Sequence, residues 1–389
     1  MREFRKRSAM HTLIHSIFGD NKAQMNISGI ISFLEDHAPT AYQEHYDNAG
    51  LIIGNPDWEC TGVMVSLDAT ESVVLEARQK KCNLIVAHHP IIFAGLKKIN
   101  SKNYVEKAVI AAIKNDIAIY AIHTNLDNVV YGVNGKMADK LGLIKRKVLV
   151  PKLNVLRKLY SFVPAAHENK VLEALFEAGA GHIGNYSETS FGSQGVGSFR
   201  AGEGTTPFVG EKGKRHLEKE TKIEVIFPAY LKDAVIRALM ENHPYEEVAY
   251  DIVELANTEK EIGSGLIGEF PQTMTEQEAL ALIKKAFQLR IIRHTRLTGR
   301  SIGKVAVCGG AGSFLISNAL SSGAELFITS DIKYHEFFDA NDKILVADIG
   351  HFESEQFTIE LLHDLLSEKF HTFAVLKPDS ITNPVNYYL

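Results

Sequence analysis

Leu84-Ile85-Val86-Ala87-His88-His89-Pro90 decides the reading of this chain, because four consecutive apolar residues run straight into two imidazoles and a proline. A continuously apolar run this short suits a strand buried on both faces rather than one with a wet side. The same pattern surrounds it. Val63-Met64-Val65-Ser66-Leu67 precedes a helical stretch at 71–80, and a helix near 104–115 leads into Ile117-Ala118-Ile119-Tyr120-Ala121-Ile122. Strands alternating with helices predict an α/β fold with a mixed sheet and flanking helices. The rhythm returns at Val305-Ala306-Val307, Leu326-Phe327-Ile328 and Ile344-Leu345-Val346-Ala347, before a closing helix around 351–369.

The middle of the chain reads differently. Strands at 156–163, 222–227 and 247–254 and helices at 166–178 and 229–242 form two strand–helix units, separated by a polar, glycine-rich stretch from Gly192 to Lys214. This predicts a ferredoxin-like α+β insertion with that stretch as an extended arm or loop. The junctions fall near Pro151 and Gly263. The expected organisation is therefore a discontinuous α/β domain of residues 25–150 and 263–389 around an insertion of 151–262. Residues 1–24 carry Arg2, Arg5, Lys6 and Arg7 against Glu3 and Asp20, which fits an organelle transit peptide or, better, a short extension ahead of Met25; no role is assigned to it.

At 389 residues the chain is more than twice the ~150 of one typical domain, and 45% hydrophobic with 23% charged residues is an ordinary globular composition. Forty-two basic against 47 acidic residues give −5, which makes nucleic-acid binding a poor expectation and a small-molecule substrate a better one. Cys60, Cys82 and Cys308 are odd in number, far apart and without a CxxC pair, which points to a reducing, cytoplasmic setting. No apolar run approaches the ~20 residues that span a bilayer, so no membrane partner is expected.

Three strand ends carry the candidate chemistry. Ligands in open α/β sheets gather beyond the carboxyl ends of the strands, where His88 and His89 follow Leu84–Ala87 and His123-Thr124-Asn125-Leu126-Asp127 follows Ile117–Ile122. An adjacent histidine pair alone is equally a hydrogen-bonded turn before Pro90, and Asp127-Asn128 alone equally an ordinary turn. The third end is Asp348-Ile349-Gly350-His351-Phe352-Glu353-Ser354-Glu355. His351 and Glu355 are four apart and share a helical face with Thr358, Leu362 and Leu366, so the pair is expected to point inward. Three imidazoles and two carboxylates suit two divalent cations per subunit, with zinc, iron and manganese all compatible with mixed nitrogen and oxygen ligands.

The segments Asp47-Asn48-Ala49-Gly50-Leu51, Val86-Ala87-His88-His89-Pro90, His123-Thr124-Asn125-Leu126-Asp127, Gly309-Gly310-Ala311-Gly312-Ser313, Thr329-Ser330-Asp331 with His335, and Gly350-His351-Phe352-Glu353-Ser354-Glu355 resemble the GTP cyclohydrolase 1 type 2 homologue family. The resemblance spans residues ~25–389 in order, and Ile223 to Glu254, with His243-Pro244-Tyr245-Glu246-Glu247, resembles the PII-like insertion domain of its longer members. It implies a dinuclear metal site on His88, His89, Asp127, His351 and Glu355, the same five that spacing nominates, and a toroidal homohexamer.

Supporting roles are weighed beside these. The turn Gly309-Gly310-Ala311-Gly312-Ser313 offers backbone N–H groups to a phosphate, though it lacks the lysine of a P-loop and glycines equally serve a tight strand-to-helix turn. His335 and His123 are candidate proton carriers or supports for the ligands, and Asp331 and Glu336, equally able to be plain surface carboxylates, rank below the five ligands. Cys308 and Cys82 read as small buried hydrophobes, and Tyr245-Glu246-Glu247 as a subunit contact or a helix–strand corner. The family name implies hydrolysis, with water attacking C8 of the guanine ring of GTP, His335 moving the proton and the glycine turn holding phosphate. The alternative is a metal-binding oligomeric scaffold or regulator without turnover, whose PII-like insertion binds an effector.

Overall fold

The computed structural model describes residues 25–388; the segment expected to be an N-terminal extension lies outside them. The chain divides into two compact units, one built from both of its ends, to Pro151 and from Lys260, the other from Lys152–Glu259. Among the described residues no helix is long and apolar enough to cross a membrane.

In the larger unit, β1 (Gly50–Ile53), β2 (Gly62–Ser66), β3 (Leu84–Ala87) and β4 (Ala118–Ala121) form a sheet in the order β1-β4-β3-β2, completed beside β2 by a strand from near the C-terminus, Ala374–Leu376. Every residue of β2, β3 and β4 is buried, and the three run parallel. Helices Glu71–Gln79 and Tyr104–Lys114 cover them. Thr70 and Asn103 start these helices, each side chain accepting a backbone N–H of the first turn and so satisfying a donor the helix leaves orphaned. Met64, Val73, Ala77, Ile85, Ala108 and Ile119 interlock in the resulting core.

β5 (Ile144–Pro151) leads to the smaller unit. There β6 (Leu156–Pro164), β7 (Ser190–Arg200), β8 (Arg215–Pro228) and β9 (Tyr250–Glu254) pair antiparallel in the order β7-β8-β6-β9. Helices Glu168–Glu177 and Lys232–Asn242 place Val171, Leu175, Val235 and Leu239 against Leu159, Ile223, Val225 and Phe227 of the sheet. The stretch from Gly192 is not a loop at its start: β7 pairs with β8 without a break from Ser190↔Val225 to Arg200↔Arg215. Its residues are mostly exposed, so no hydrophobic alternation marks the strand, and its glycines and serines argue against one. Pairing along the long β8 decides the conformation instead.

Back in the larger unit, β10 (Gly263–Thr275), β11 (Arg293–His294), β12 (Ser301–Ala311), β13 (Leu326–Ser330) and β14 (Leu345–Asp348) join β5 in a sheet ordered β11-β14-β13-β12-β10-β5. β12, β13 and β14 are parallel, while β10 runs antiparallel to both β12 and β5. The larger unit is thus the expected mixed α/β fold, built on two mixed sheets rather than the one expected. The parallel strands of the first sheet end at residues 66, 87 and 121 and those of the second at 311, 330 and 348, and the loops that follow them meet. The closing helix is broken in two, His351–Glu355 and Thr358–Lys369, with Thr358, Leu362 and Leu366 buried.

Candidate metal centre

His88 and His89 leave β3, His123 and Asp127 belong to the turn after β4, and His351 and Glu355 open the helix after β14. Distant stretches of sequence therefore converge. Glu355, buried at 2% exposure, has Oε2 3.0 Å from His89 Nε2 and 3.2 Å from His351 Nε2, while Oε1 lies 3.8 Å from His88 Nε2. His88 Nε2 is in turn 3.7 Å from Asp127 Oδ1, and the Nε2 atoms of His89 and His351 are 3.3 Å apart. The ligand atoms of His89, His351 and Glu355 lie within 4.8 Å of one another, as do those of His88, His89 and His123.

Each imidazole is held from behind. His88 Nδ1 donates to the Ile122 carbonyl at 2.8 Å, which leaves its Nε2 to face the centre. His89 Nδ1 donates to Asp68 at 2.8 Å, His351 Nδ1 to Asp331 at 2.7 Å and His123 Nδ1 to Asp47 at 2.7 Å. A carbonyl or carboxylate fixing the far nitrogen is the support metal-ligating histidines ordinarily have. Asp68 is itself fixed by the Thr382 hydroxyl at 2.6 Å, and Asp47 by the backbone N–H and hydroxyl of Thr124.

Two atoms at the centre are unsatisfied. His88 Nε2 and Asp127 Oδ1 are buried with no hydrogen-bond partner among the described residues. A buried ring nitrogen and a buried carboxylate oxygen facing each other without a hydrogen bond are a donor set that a cation satisfies, so the residues present fit a divalent metal.

The charged groups of this crowded site shift one another. Burial pushes the Asp127 carboxyl up to about 7, and the Glu355 charge adds to this. Burial would also raise Glu355, but His88 and hydrogen bonds from His351 and His89 hold it well below the usual carboxylate range. His89 is raised to about 9 and His351 to about 11; burial opposes both, and is outweighed by Asp68 and Glu355 for the first and by Asp331 and Glu355 for the second. For Asp47, burial is outweighed by hydrogen bonds from His123 and Thr124, which hold it down at about 2.

A cavity of about 760 Å³ opens over this cluster, lined by His89, His123, Asp127, His351 and Glu355 and rimmed by Tyr46, Phe93, Tyr104 and Phe314. A smaller one of about 370 Å³ lies along His89 and His351 and is lined by Asp331, Asp348 and Tyr387.

The glycine segment belongs to this site in a different way than its sequence suggests. Gly309 and Gly310 are not a turn beyond Val307 but the end of β12, which runs to Ala311. Their N–H groups donate to Asn134 Oδ1 and Ser354 Oγ, both at 3.0 Å, so neither is available to a phosphate. A Cβ on Gly310, whose φ is +64°, would come within 2.4 Å of Glu355 Oε1. The glycine makes room for the carboxylate. Gly312 and Ser313 do not line the cavity.

His335 is also displaced from its expected place. It is exposed on the 3-10 turn Tyr334–Ala340, its ring 5.1 Å from Tyr334 and 6.3 Å from Phe338, and it lines neither cavity. Its candidacy rests on the segment Thr329-Ser330-Asp331 with His335 that carries the family resemblance. Asp331, by contrast, holds His351 from a left-handed backbone at φ +55°. Asp68 and Thr382 were not singled out in the sequence at all.

The Duf34/NIF3 (NGG1p interacting factor 3) family profile matches residues 25–384. The chain belongs to this family. Proteins curated as GTP cyclohydrolase 1 type 2 homolog from Halalkalibacterium halodurans and Bacillus subtilis are 40% and 38% identical to it over 363 and 368 residues, spanning 92% and 93% of this chain and 98% and 99% of theirs. Among solved structures, a Bacillus cereus protein related to NIF3 superposes with a TM-score of 0.82 at 36% identity, covering 94% of this chain and all of the other. A Staphylococcus aureus protein does so at 0.75 and 29% identity, over 95% of this chain and all of its own. The Duf34/NIF3 match takes in all three converging strand ends.

Proposed function

We propose that this protein is a metal-dependent hydrolase with a dinuclear divalent-metal site. The observation that carries the reading is the pair of buried, unpartnered atoms, His88 Nε2 and Asp127 Oδ1, beside a carboxylate whose two oxygens address different histidines. His88, Asp127 and Glu355 Oε1 would hold one ion; His89, His351 and Glu355 Oε2 would hold the other. Zinc, iron and manganese all suit this ligand set.

Two such ions supply Lewis acidity, polarising a substrate group and lowering the pKa of water toward ~7. The chain's own residues do the rest. Asp68 and Asp331 fix the rings of His89 and His351 so that both Nε2 atoms face Glu355. His123, its Nδ1 committed to Asp47, has Nε2 left to carry a proton at the cavity wall. The reading for GTP as substrate is supported by the names of the relatives, and hydrolysis by the cavity that opens over the cluster.

The smaller unit is proposed as PII-like, supported by two strand–helix units paired antiparallel through β6 and β8. Homohexameric assembly rests on the family resemblance, and a cytoplasmic setting on three free, buried cysteines. If the smaller unit binds an effector and the metal site does not turn over, the protein is a scaffold or regulator. Loading the purified protein with zinc, manganese or iron, counting ions per chain by elemental analysis, and assaying GTP and a phosphoester panel against His89→Ala separates these. Two ions with turnover lost in the variant supports the hydrolase; two ions without turnover supports the scaffold; no bound metal removes both.

A further inference from the structure

We infer that the large cavity recognises an uncharged planar heterocycle, a nucleobase or nucleoside, by aromatic stacking rather than a nucleoside triphosphate by its phosphates. This deepens the proposed hydrolase reading and rests on it for the position of the reacting atom.

The rim is the first observation. Tyr46, Phe93, Tyr104 and Phe314 all line the cavity, and each is more than half exposed, at 62%, 54%, 67% and 62%. Large aromatic faces left open to water around a polar floor are costly unless they receive a partner. Phe93 is tied to the chemistry: its ring lies 5.6 Å from that of His123 at an interplanar angle of 82°. A flat ring stacked on Phe93 would sit beside the proposed proton carrier.

Charge is the second. Among the described residues, no lysine or arginine lines the cavity, although Lys and Arg together number 42 in the chain. The acidic residues Glu44, Asp68, Asp127 and Glu355 do line it. Two divalent ions would not reverse this balance. Their four positive charges are outnumbered by the carboxylates of Asp47, Asp68, Asp127, Asp331 and Glu355, all in or directly behind the ligand set. A triphosphate of roughly four negative charges would find acidic walls and no lysine or arginine to hold the phosphates that lie beyond the ions.

The glycine segment offers no phosphate cradle. The Gly309 and Gly310 amides are occupied by Asn134 and Ser354. A stacked neutral ring needs none of these groups.

The test is calorimetric titration of the full-length, manganese-loaded protein with guanosine, adenosine, GTP and inorganic tripolyphosphate, repeated on metal-free protein. At least one nucleoside should bind as tightly as GTP or more so, and tripolyphosphate should fail to compete. Phe93→Ala and Tyr104→Ala should each weaken that nucleoside about tenfold, the loss typical of one base–aromatic stack, with bound manganese unchanged. GTP binding tenfold tighter than any nucleoside, competition by tripolyphosphate, or no nucleoside binding overturns the inference. A protein that takes no manganese yet binds nucleoside through Phe93 would sink the metal reading and leave this one standing.

Discussion

His88 Nε2 and Asp127 Oδ1 face each other across 3.7 Å beneath the cavity, both cut off from solvent and neither with a hydrogen-bond partner among the described residues. Leaving a buried polar group unpaired costs about 1–3 kcal/mol, more for a charged one, so the pair is a standing source of instability unless a cation fills the gap. Zinc or manganese should therefore raise the melting temperature of the metal-free protein. His88→Ala and Asp127→Asn should each lower bound metal from two ions per chain to one or none and abolish most of that rise, read by elemental analysis and calorimetry. A full complement of metal in both variants would remove these residues from the ligand set.

Gly310 sets the room available to Glu355. An alanine there would be strained twice, by the positive φ and by a Cβ 2.4 Å from the Glu355 carboxylate. Gly310→Ala is expected to cost about 1–3 kcal/mol of stability and to weaken metal binding at the ions Glu355 would hold. Gly195, where nothing stands within 4 Å of an added Cβ, is the matched control, and Gly195→Ala should leave metal binding unchanged.

The side chains behind the imidazoles offer a graded test. Asp68→Asn and Asp331→Asn keep the size of each partner but remove the charge that orients His89 and His351, and such losses typically weaken metal affinity 10- to 100-fold. Thr382→Val removes the hydroxyl that holds Asp68 and should give a smaller loss in the same direction. Competition with a chelator of known affinity measures all three. Variants as tight as the wild type would mean the rings are fixed by packing alone.

How much of this was legible follows from where each residue sits. His88, His89, Asp127, His351 and Glu355 stand at strand ends, the positions where an open α/β sheet exposes side chains to ligands, and the i,i+4 spacing of the last two puts them on one buried face. Asp68 and Asp331 obey the same rule, two residues past β2 and one past β13, but a single carboxylate after an apolar strand is common and carries no spacing signal. Asp47 precedes β1 and is marked only by the segment that carries the family resemblance, while Thr382 lies beyond the last strand, where no sequence rule reaches it. The glycine segment misled because a strand that bends and a strand that ends look alike when both contain glycines. β7 was hidden for the opposite reason, being exposed on both faces.

Metal loading should depend steeply on pH. Without metal, His89 titrates near 9 and His351 near 11, because neighbouring carboxylates outweigh burial, so both rings are protonated at pH 7. Asp127, raised to about 7 by burial and then by Glu355, is partly protonated there too. A cation can bind only where these protons leave, so it must displace them. Affinity therefore rises with pH between 6 and 8, by about tenfold per unit for each proton displaced. Zinc titrations in buffers of different ionisation enthalpy count those protons directly. An affinity flat across this range would show that the imidazoles are already neutral.

Acid stability should carry a signature remote from the metal site. Glu276, buried at the start of helix Glu276–Ala286, accepts the backbone N–H groups of Thr298 and Gly299 and the Thr298 hydroxyl. Burial works against its charge, but these hydrogen bonds outweigh it and hold the carboxyl below its ordinary 4.5. A carboxylate depressed in the folded state contributes stability that is fully present above the unfolded value and is lost as pH falls through the folded one. Glu276→Ala should therefore cost about 1–3 kcal/mol at pH 7, where the amides lose a charged acceptor. The difference from wild type should shrink below pH 4 as the wild-type side chain protonates. Urea unfolding at pH 7, 5 and 3.5 measures the gap, and a gap independent of pH would mean that Glu276 acts by packing rather than by charge.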